Sequence, residues 1–225
     1  MNIFKWSKLL KWIDNFDPRY QFIKTVPSNA KVLDLGCGKL KTLIKLNQHR
    51  PDIQWSAVDW IKNLYNIPKN VDYACINLDC DNLPFEDGKF DAIFACHILE
   101  HLSNPTHVIL EINRILKKNG VLYIEVPSLI SLFMPSFSYL KSDGNTLNLF
   151  DDYTHQKPYT KKAVQDFLKA CGCKIIKVRS VRNLIKLTIS PLLVLMGLLL
   201  WNRRLLCISL WEITGWANYG IGKKE

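Results

Sequence analysis

The chain lacks the marks of several protein classes. Its seven cysteines (Cys37, Cys75, Cys80, Cys96, Cys171, Cys173, Cys207) are scattered without metal-ligand or disulfide-framework spacing, which argues for a reducing compartment. Cys171-Gly172-Cys173 reads as a helix end running into a strand rather than a redox pair. The start is not read as a signal peptide: Lys5, Lys8 and Lys11 interrupt the apolar residues, and no small-residue cleavage site follows. A comfortable membrane span is also missing. The most apolar run, Leu187–Trp201, reaches only about 22 Å as a helix, against a hydrocarbon core of about 30 Å, and it carries Pro191 and Gly197.

What is present is apolar and unevenly charged. Of the 225 residues, 48% are hydrophobic, ample for one α/β domain with room for an appendage. The net charge is +10, yet residues 151–225 hold 13 Lys/Arg against 5 Asp/Glu. The basic character therefore belongs to the C-terminal third, beside the most apolar run.

Lys31–Lys39 reads K-V-L-D-L-G-C-G-K, a buried strand ending in a glycine turn that opens a helix. Leu40, Leu43, Ile44 and Leu46 follow at helical spacing. A dinucleotide fingerprint would need a third glycine where Lys41 stands, so a nicotinamide dehydrogenase is disfavoured. Asp34 would repel a pyrophosphate but suits a ligand with an amino group. Asp59 ends a second strand-like run, Ile53–Val58, where an acid pairs with both hydroxyls of a ribose. An adenosine with a positive centre and no phosphates is S-adenosylmethionine.

Strand-like runs at 29–35, 53–58, 71–76, 90–95, 121–126, 173–181 and 215–223 alternate with helical patterns at 39–49, 105–118 and 160–170. That alternation predicts an α/β fold with a parallel sheet and helices on both faces. Met1–Phe16 carries apolar residues at helical spacing, read as a helix over the cofactor mouth or one lying on a membrane with Trp6 and Trp12 at the interface. Pro127–Asp152 is read as a substrate loop or lid.

These motifs resemble class I S-adenosylmethionine-dependent methyltransferases. V-L-D-L-G-C-G, V-D-W at 58–60, D-C-D-N-L-P-F at 79–85, F-D-A-I-F-A-C-H-I-L-E-H-L at 90–102 and E-I-N-R-I-L-K-K-N-G-V-L at 111–122 stand in the family's order. The small ubiquinone/menaquinone-methylase-like branch (methyltransferase type 11) is most similar, over roughly residues 30–127. One departure is Leu40, where many relatives have a third glycine. The resemblance implies a Rossmann-like, seven-stranded, mostly parallel sheet. Here an apolar helical insertion, 182–214, separates strands six and seven. The expected domains are a helical cap at 1–28, the methyltransferase domain at 29–181 and 215–225, and that insertion.

The resemblance also implies site roles. Asp34 would meet the methionine amino group. Gly36, Cys37 and Gly38 would offer backbone to the methionine and ribose. Asp59 would hold the ribose, Trp60 pack on adenine, and Asp79 and the Cys80 amide reach the adenine ring. Cys96 and His97 would sit at the pocket mouth. Glu100 and His101 would brace loops, with proton removal a further role for His101. Asp151–Thr160, D-D-Y-T-H-Q-K-P-Y-T, looks like a stretch in methyltransferases of glycan and lipid-linked sugar pathways. His155 there is a candidate base, or a residue tying the lid to the sheet edge. His97-x-x-Glu100-His101 also matches a zinc-peptidase pattern, but zinc would need a third protein ligand, and no metal site is expected.

The expected acceptor is a glycan or lipid-linked small molecule, methylated by a cytoplasmic protein touching a membrane surface through 182–214. Two other readings remain. A nucleic-acid methyltransferase would suit the pI of about 9.2, but amino-directed enzymes carry D/N-P-P-Y/F after strand four, where this chain has A-C-H-I-L-E. A non-catalytic cofactor-fold scaffold at a membrane would not need its acids at 34, 59 and 79.

Overall fold

A computed structural model describes residues 13–136 and 147–225. Its centre is a seven-stranded sheet: β1 (Lys31–Leu35), β2 (Gln54–Asp59), β3 (Val71–Cys75), β4 (Phe90–Cys96), β5 (Leu116–Pro127), β6 (Cys173–Ser180) and β7 (Ala217–Lys224), in the order β3-β2-β1-β4-β5-β7-β6. The first five run parallel, and β7 lies antiparallel between β5 and β6.

Side chains alternate between two cores along each central strand. Leu33, Ile93, Leu122 and Ile124 join one core. Their neighbours Val32, Ala92, Phe94 and Tyr123 join the other. The period of two places apolar residues on both faces, and helices cover both. Helices α1 (Pro18–Thr25) and α2 (Lys41–His49) bring Phe22, Ile23, Leu43 and Leu46 to the Tyr123 side. Helices α3 (Pro105–Ile115) and α4 (Lys161–Ala170) bring Val108, Ile112, Val164 and Phe167 to the other. Thr160 caps α4, its hydroxyl accepting from the Ala163 amide at 3.0 Å.

The turn between β1 and α2 uses Leu40 where many relatives have glycine. Leu40 takes φ +58°, a left-handed conformation costing an ordinary residue about 1–2 kcal/mol. Its side chain is fully buried in the core, and burying a leucine returns about 1.5–3 kcal/mol. The substitution is thus tolerated without disturbing the loop.

Sequence and structure differ at one junction. The pattern predicts a helix to Lys118, but α3 ends at Ile115 and β5 begins at Leu116, which pairs with Phe90 before an irregularity in register. Asn119, three residues on, takes φ +65°.

Between β6 and β7 run α5 (Leu184–Leu199) and α6 (Arg203–Thr214). They cross closely at Gly197, where a Cβ would stand 2.8 Å from Leu206 Cγ. Among the described residues, no helix is long and apolar enough to cross a membrane. The expected N-terminal helix falls mostly outside the described residues. Of the lid, Leu129–Phe133 and Leu149–Asp151 form single 3-10 turns.

Candidate active site

The site lies beyond the C-terminal ends of β1, β2 and β4. There the chain's crossovers change direction, the usual ligand crevice of an open α/β sheet. Two cavities adjoin. One, about 530 Å³, is bordered by Gly36, Gly38, Asp59, Trp60, Asn77 and Asp79. The other, about 550 Å³, is bordered by Arg19, Glu125, His155, Trp211, Glu212 and Trp216. His97, His101 and Asp152 line both.

In the first cavity, the Gly38 amide donates to Asp59 Oδ2 at 2.7 Å, which locks the glycine loop against β2. Asp59 Oδ1 is buried and has no hydrogen-bond partner. A Cβ on Gly38, at φ +52°, would meet nothing within 4 Å, so the loop backs onto open space. Asp34 is buried, and no side chain among the described residues forms an ion pair with it. Burial, and secondarily the neighbouring Asp59, pushes its carboxyl up to about 8. These are the features of a place made for a hydroxyl donor and a cationic amine, so the residues fit S-adenosylmethionine. Asp34 itself does not line the first cavity; it is buried in β1, two residues before Gly36.

Other expected cofactor residues fall into different places. Trp60 is 76% exposed and forms the rim. Asp79 also borders the cavity, while its Oδ1 accepts from the Ser103 and Asn104 amides and pins the start of α3. The Gly36 and Cys37 amides both donate to Val58 O, which commits them to the turn. Cys80 stands apart from these. Its amide donates to Asn77 O at 3.2 Å, and the residue lies outside the cavity lining. Cys96 also stands outside both linings, its thiol pushed well up by burial and then by Glu125.

His97 follows β4 with φ +56°, a sparsely populated conformation that often marks functional sites. Its Nδ1 lies 3.0 Å from Glu100 Oε1 and its Nε2 3.1 Å from Glu125 Oε1. Burial alone would lower its pKa. The hydrogen bonds to the two buried glutamates outweigh this and raise it to about 10, so His97 is an imidazolium donating from both nitrogens. Glu125 is burdened by burial but held down at about 2 by Arg19, His97 and the Tyr123 hydroxyl.

His101 and His155 are differently wired. His101 Nδ1 lies 2.7 Å from Thr154 Oγ1, whose own proton goes to Asp152 Oδ1 at 2.6 Å. Nδ1 is therefore the donor, and Nε2 keeps its lone pair. Burial lowers the pKa of His101, and the nearby His155 lowers it further. His155 Nδ1 lies 2.6 Å from Leu149 O, which can only accept, so its lone pair also sits on Nε2. The two rings are 4.6 Å apart. Tyr159, more than His155, ties the lid down: its hydroxyl donates to Leu99 O at 3.0 Å and its amide to Pro127 O at 2.8 Å.

Sequence reasoning missed the walls of the second cavity. Asp17 and Arg19 precede and open α1, Trp211 and Glu212 come from α6, and Trp216 precedes β7. Only Glu125 left a signal, as an acid inside the otherwise apolar V-L-Y-I-E-V of a central strand.

Comparison with known proteins agrees with the fold. A family described as "Methyltransferase domain" matches residues 10–178. Ubiquinone biosynthesis O-methyltransferase of Xanthomonas axonopodis pv. citri is 29% identical over 113 residues, 47% of this chain and 46% of the relative. Malonyl-(acyl-carrier protein) O-methyltransferase of Alcanivorax borkumensis is 32% identical over 100 residues, 42% of this chain and 34% of the relative. The chain thus aligns with half or less of these curated relatives' length. A SAM-dependent methyltransferase from Aquifex aeolicus shares the fold, with a TM-score of 0.58 at 16% identity over 97% of this chain and 98% of that one.

Proposed function

The chain belongs to the methyltransferase-domain family, whose cofactor is S-adenosylmethionine, and on that premise we propose that it transfers a methyl group to an oxygen of a small glycan or lipid-linked acceptor at a membrane surface. The observation carrying this reading is the pair of adjoining cavities that share His97, His101 and Asp152. The first is bordered by Asp59 and Asp79, with Asp34 buried in β1 just before the glycine loop, and the second has room and polar groups for an acceptor.

Asp34 holds the cofactor's amino group, the unpartnered Oδ1 of Asp59 takes a ribose hydroxyl, and Trp60 and Asp79 flank the adenine. The bound cofactor supplies an electrophilic methyl on a positively charged sulfur. Proximity of an aligned nucleophile provides much of the rate. The Nε2 lone pairs of His101 and His155 stand ready for the acceptor's proton. His97 holds its charge between Glu100 and Glu125 and fixes the border between the cavities. The O-methyltransferase names of the two curated relatives support an oxygen nucleophile.

The membrane part rests on α5 and α6. Leu192, Leu198, Leu199, Leu200 and Trp201 are exposed, Trp201 at 93%. Arg204 is exposed beside them. A contiguous apolar patch of this kind marks an interaction surface, and a nearby arginine suits anionic head groups. The same hairpin lends Asn183, Trp211 and Glu212 to the second cavity, which supports an acceptor delivered from that surface. The test is transfer of labelled methyl to extracted lipid-linked and soluble glycan fractions. Label in the lipid-linked fraction supports the reading; label only in RNA or DNA overturns it.

A further inference from the structure

His97-x-x-Glu100-His101 puts two imidazoles and a carboxylate on one turn, and the fold uses them unequally. His97 has no lone pair to give, because both of its nitrogens face glutamates. His101 and His155 each commit Nδ1 to an oxygen and keep Nε2 open. Glu100 is fully buried, and its Oε2 has no hydrogen-bond partner. One ligating atom from each of Glu100, His101 and His155 falls within 4.8 Å of the others.

We propose that Glu100, His101 and His155 bind a divalent transition-metal ion of the zinc class at the border of the two cavities. Two histidines and a glutamate are the donor set of an open zinc site, which leaves a fourth position for water or substrate. Metal-binding histidines characteristically donate their other ring N–H to an oxygen, which fixes the tautomer. Here Thr154, backed by Asp152, and Leu149 O do this. A buried carboxylate oxygen without a donor is costly, and a cation satisfies it. The sequence pattern pairs His97 with His101 on one turn, whereas this trio leaves His97 out and takes His155 from a separate segment. A second close trio, Cys96, His97 and Glu125, does not qualify. His97 is fully committed there, and Arg19 already faces Glu125 at 3.9 Å.

The proposal rests on the reading of the second cavity as the acceptor site. With the metal bound, the Nε2 lone pairs of His101 and His155 would be ligands in place of bases, and an acceptor hydroxyl in the open position would ionise more readily, its proton leaving to solvent. The new O–CH3 bond would then form as the S–CH3 bond breaks, the electron pair staying on sulfur.

The test titrates chelator-treated full-length protein with Co2+ and follows the visible spectrum without cofactor, while calorimetry measures S-adenosylmethionine binding separately. One Co2+ per chain is expected, with ligand-field bands of a nitrogen–oxygen site. His155→Gln should weaken Co2+ binding at least about tenfold, and Thr154→Val, which removes the link from the His101 ring to Asp152, by about 10–100-fold. Cofactor affinity should stay within about twofold in His155→Gln, since His155 does not border the first cavity. Absence of bands in the wild type, thiolate charge-transfer absorption, or Co2+ binding unchanged in both variants overturns the metal site. If the cofactor binds while Co2+ does not, the methyltransferase reading stands without the metal. If the wild type fails to bind the cofactor, that reading falls whatever Co2+ does.

Discussion

Asp34 carries the sharpest quantitative consequence. Its carboxyl, ordinarily near 3.8, is pushed up to about 8 by burial and then by Asp59. At pH 7 the free protein therefore holds a proton there. A cationic amine beside Asp34 favours the ionised form, so cofactor binding at pH 7 expels most of that proton. Only about a hundredth of the protein is ionised at Asp34 at pH 6 and about a tenth at pH 7, so affinity should rise roughly tenfold over that unit. Calorimetry at pH 6 and 7, in two buffers of different ionisation enthalpy, reads both the affinity and the proton release. Asp34→Asn should abolish the pH dependence and the proton release together. The same shift has a stability sign: the folded state binds this proton more tightly than the unfolded chain. The free protein therefore loses stability at this group as pH rises from about 4 to 8, and bound cofactor restores it. A flat affinity between pH 6 and 7 with no proton released would refute the placement of the amine at Asp34.

Further outcomes follow from other residues. Asp59→Ala should weaken cofactor binding by about 1.5–3 kcal/mol, the range for hydrogen bonds to a charged group; wild-type affinity would remove Asp59 from the ribose. His97 is held up at about 10, so its contribution to stability is complete below about 6.5 and lost as pH climbs through 10. Glu125 is held down at about 2, so its contribution is complete above about 4.5 and lost as pH falls through 2. Melting temperature against pH should therefore fall at both limits, and His97→Gln should flatten the alkaline fall. The protein should co-sediment with anionic liposomes, less so at high salt. Leu199→Glu with Trp201→Glu should cut this at least about tenfold, given about 1.5–3 kcal/mol per large apolar side chain buried. Retention in the supernatant by the wild type would remove the membrane from the account.

The fold was legible because its signals are local. The glycine turn after β1, the acid ending β2 and the helix pattern of 160–170 each lie within a dozen residues, and backbone chemistry alone dictates them. The end of α3 was not legible. Lys117, Lys118 and Asn119 look like the polar last turn of a helix, and only pairing of Leu116 with Phe90 draws the chain into β5. The cofactor half of the site could be read for the same reason as the fold. The acceptor half could not, because Arg19, Glu125 and the Trp211–Trp216 stretch meet from three distant segments. Nor does H-I-L-E-H reveal that His97 would be locked between two carboxylates while His101 stays open. Glu125 decides that, and it arrives from the neighbouring strand.

The central claim is a working S-adenosylmethionine site built on Asp34, the glycine loop and Asp59. The most direct measurement is calorimetric titration of the full-length protein with S-adenosylmethionine and with its demethylated product. The account predicts one site per chain for each ligand, weakened for both by Asp59→Ala. Binding of neither ligand to the wild type would contradict it.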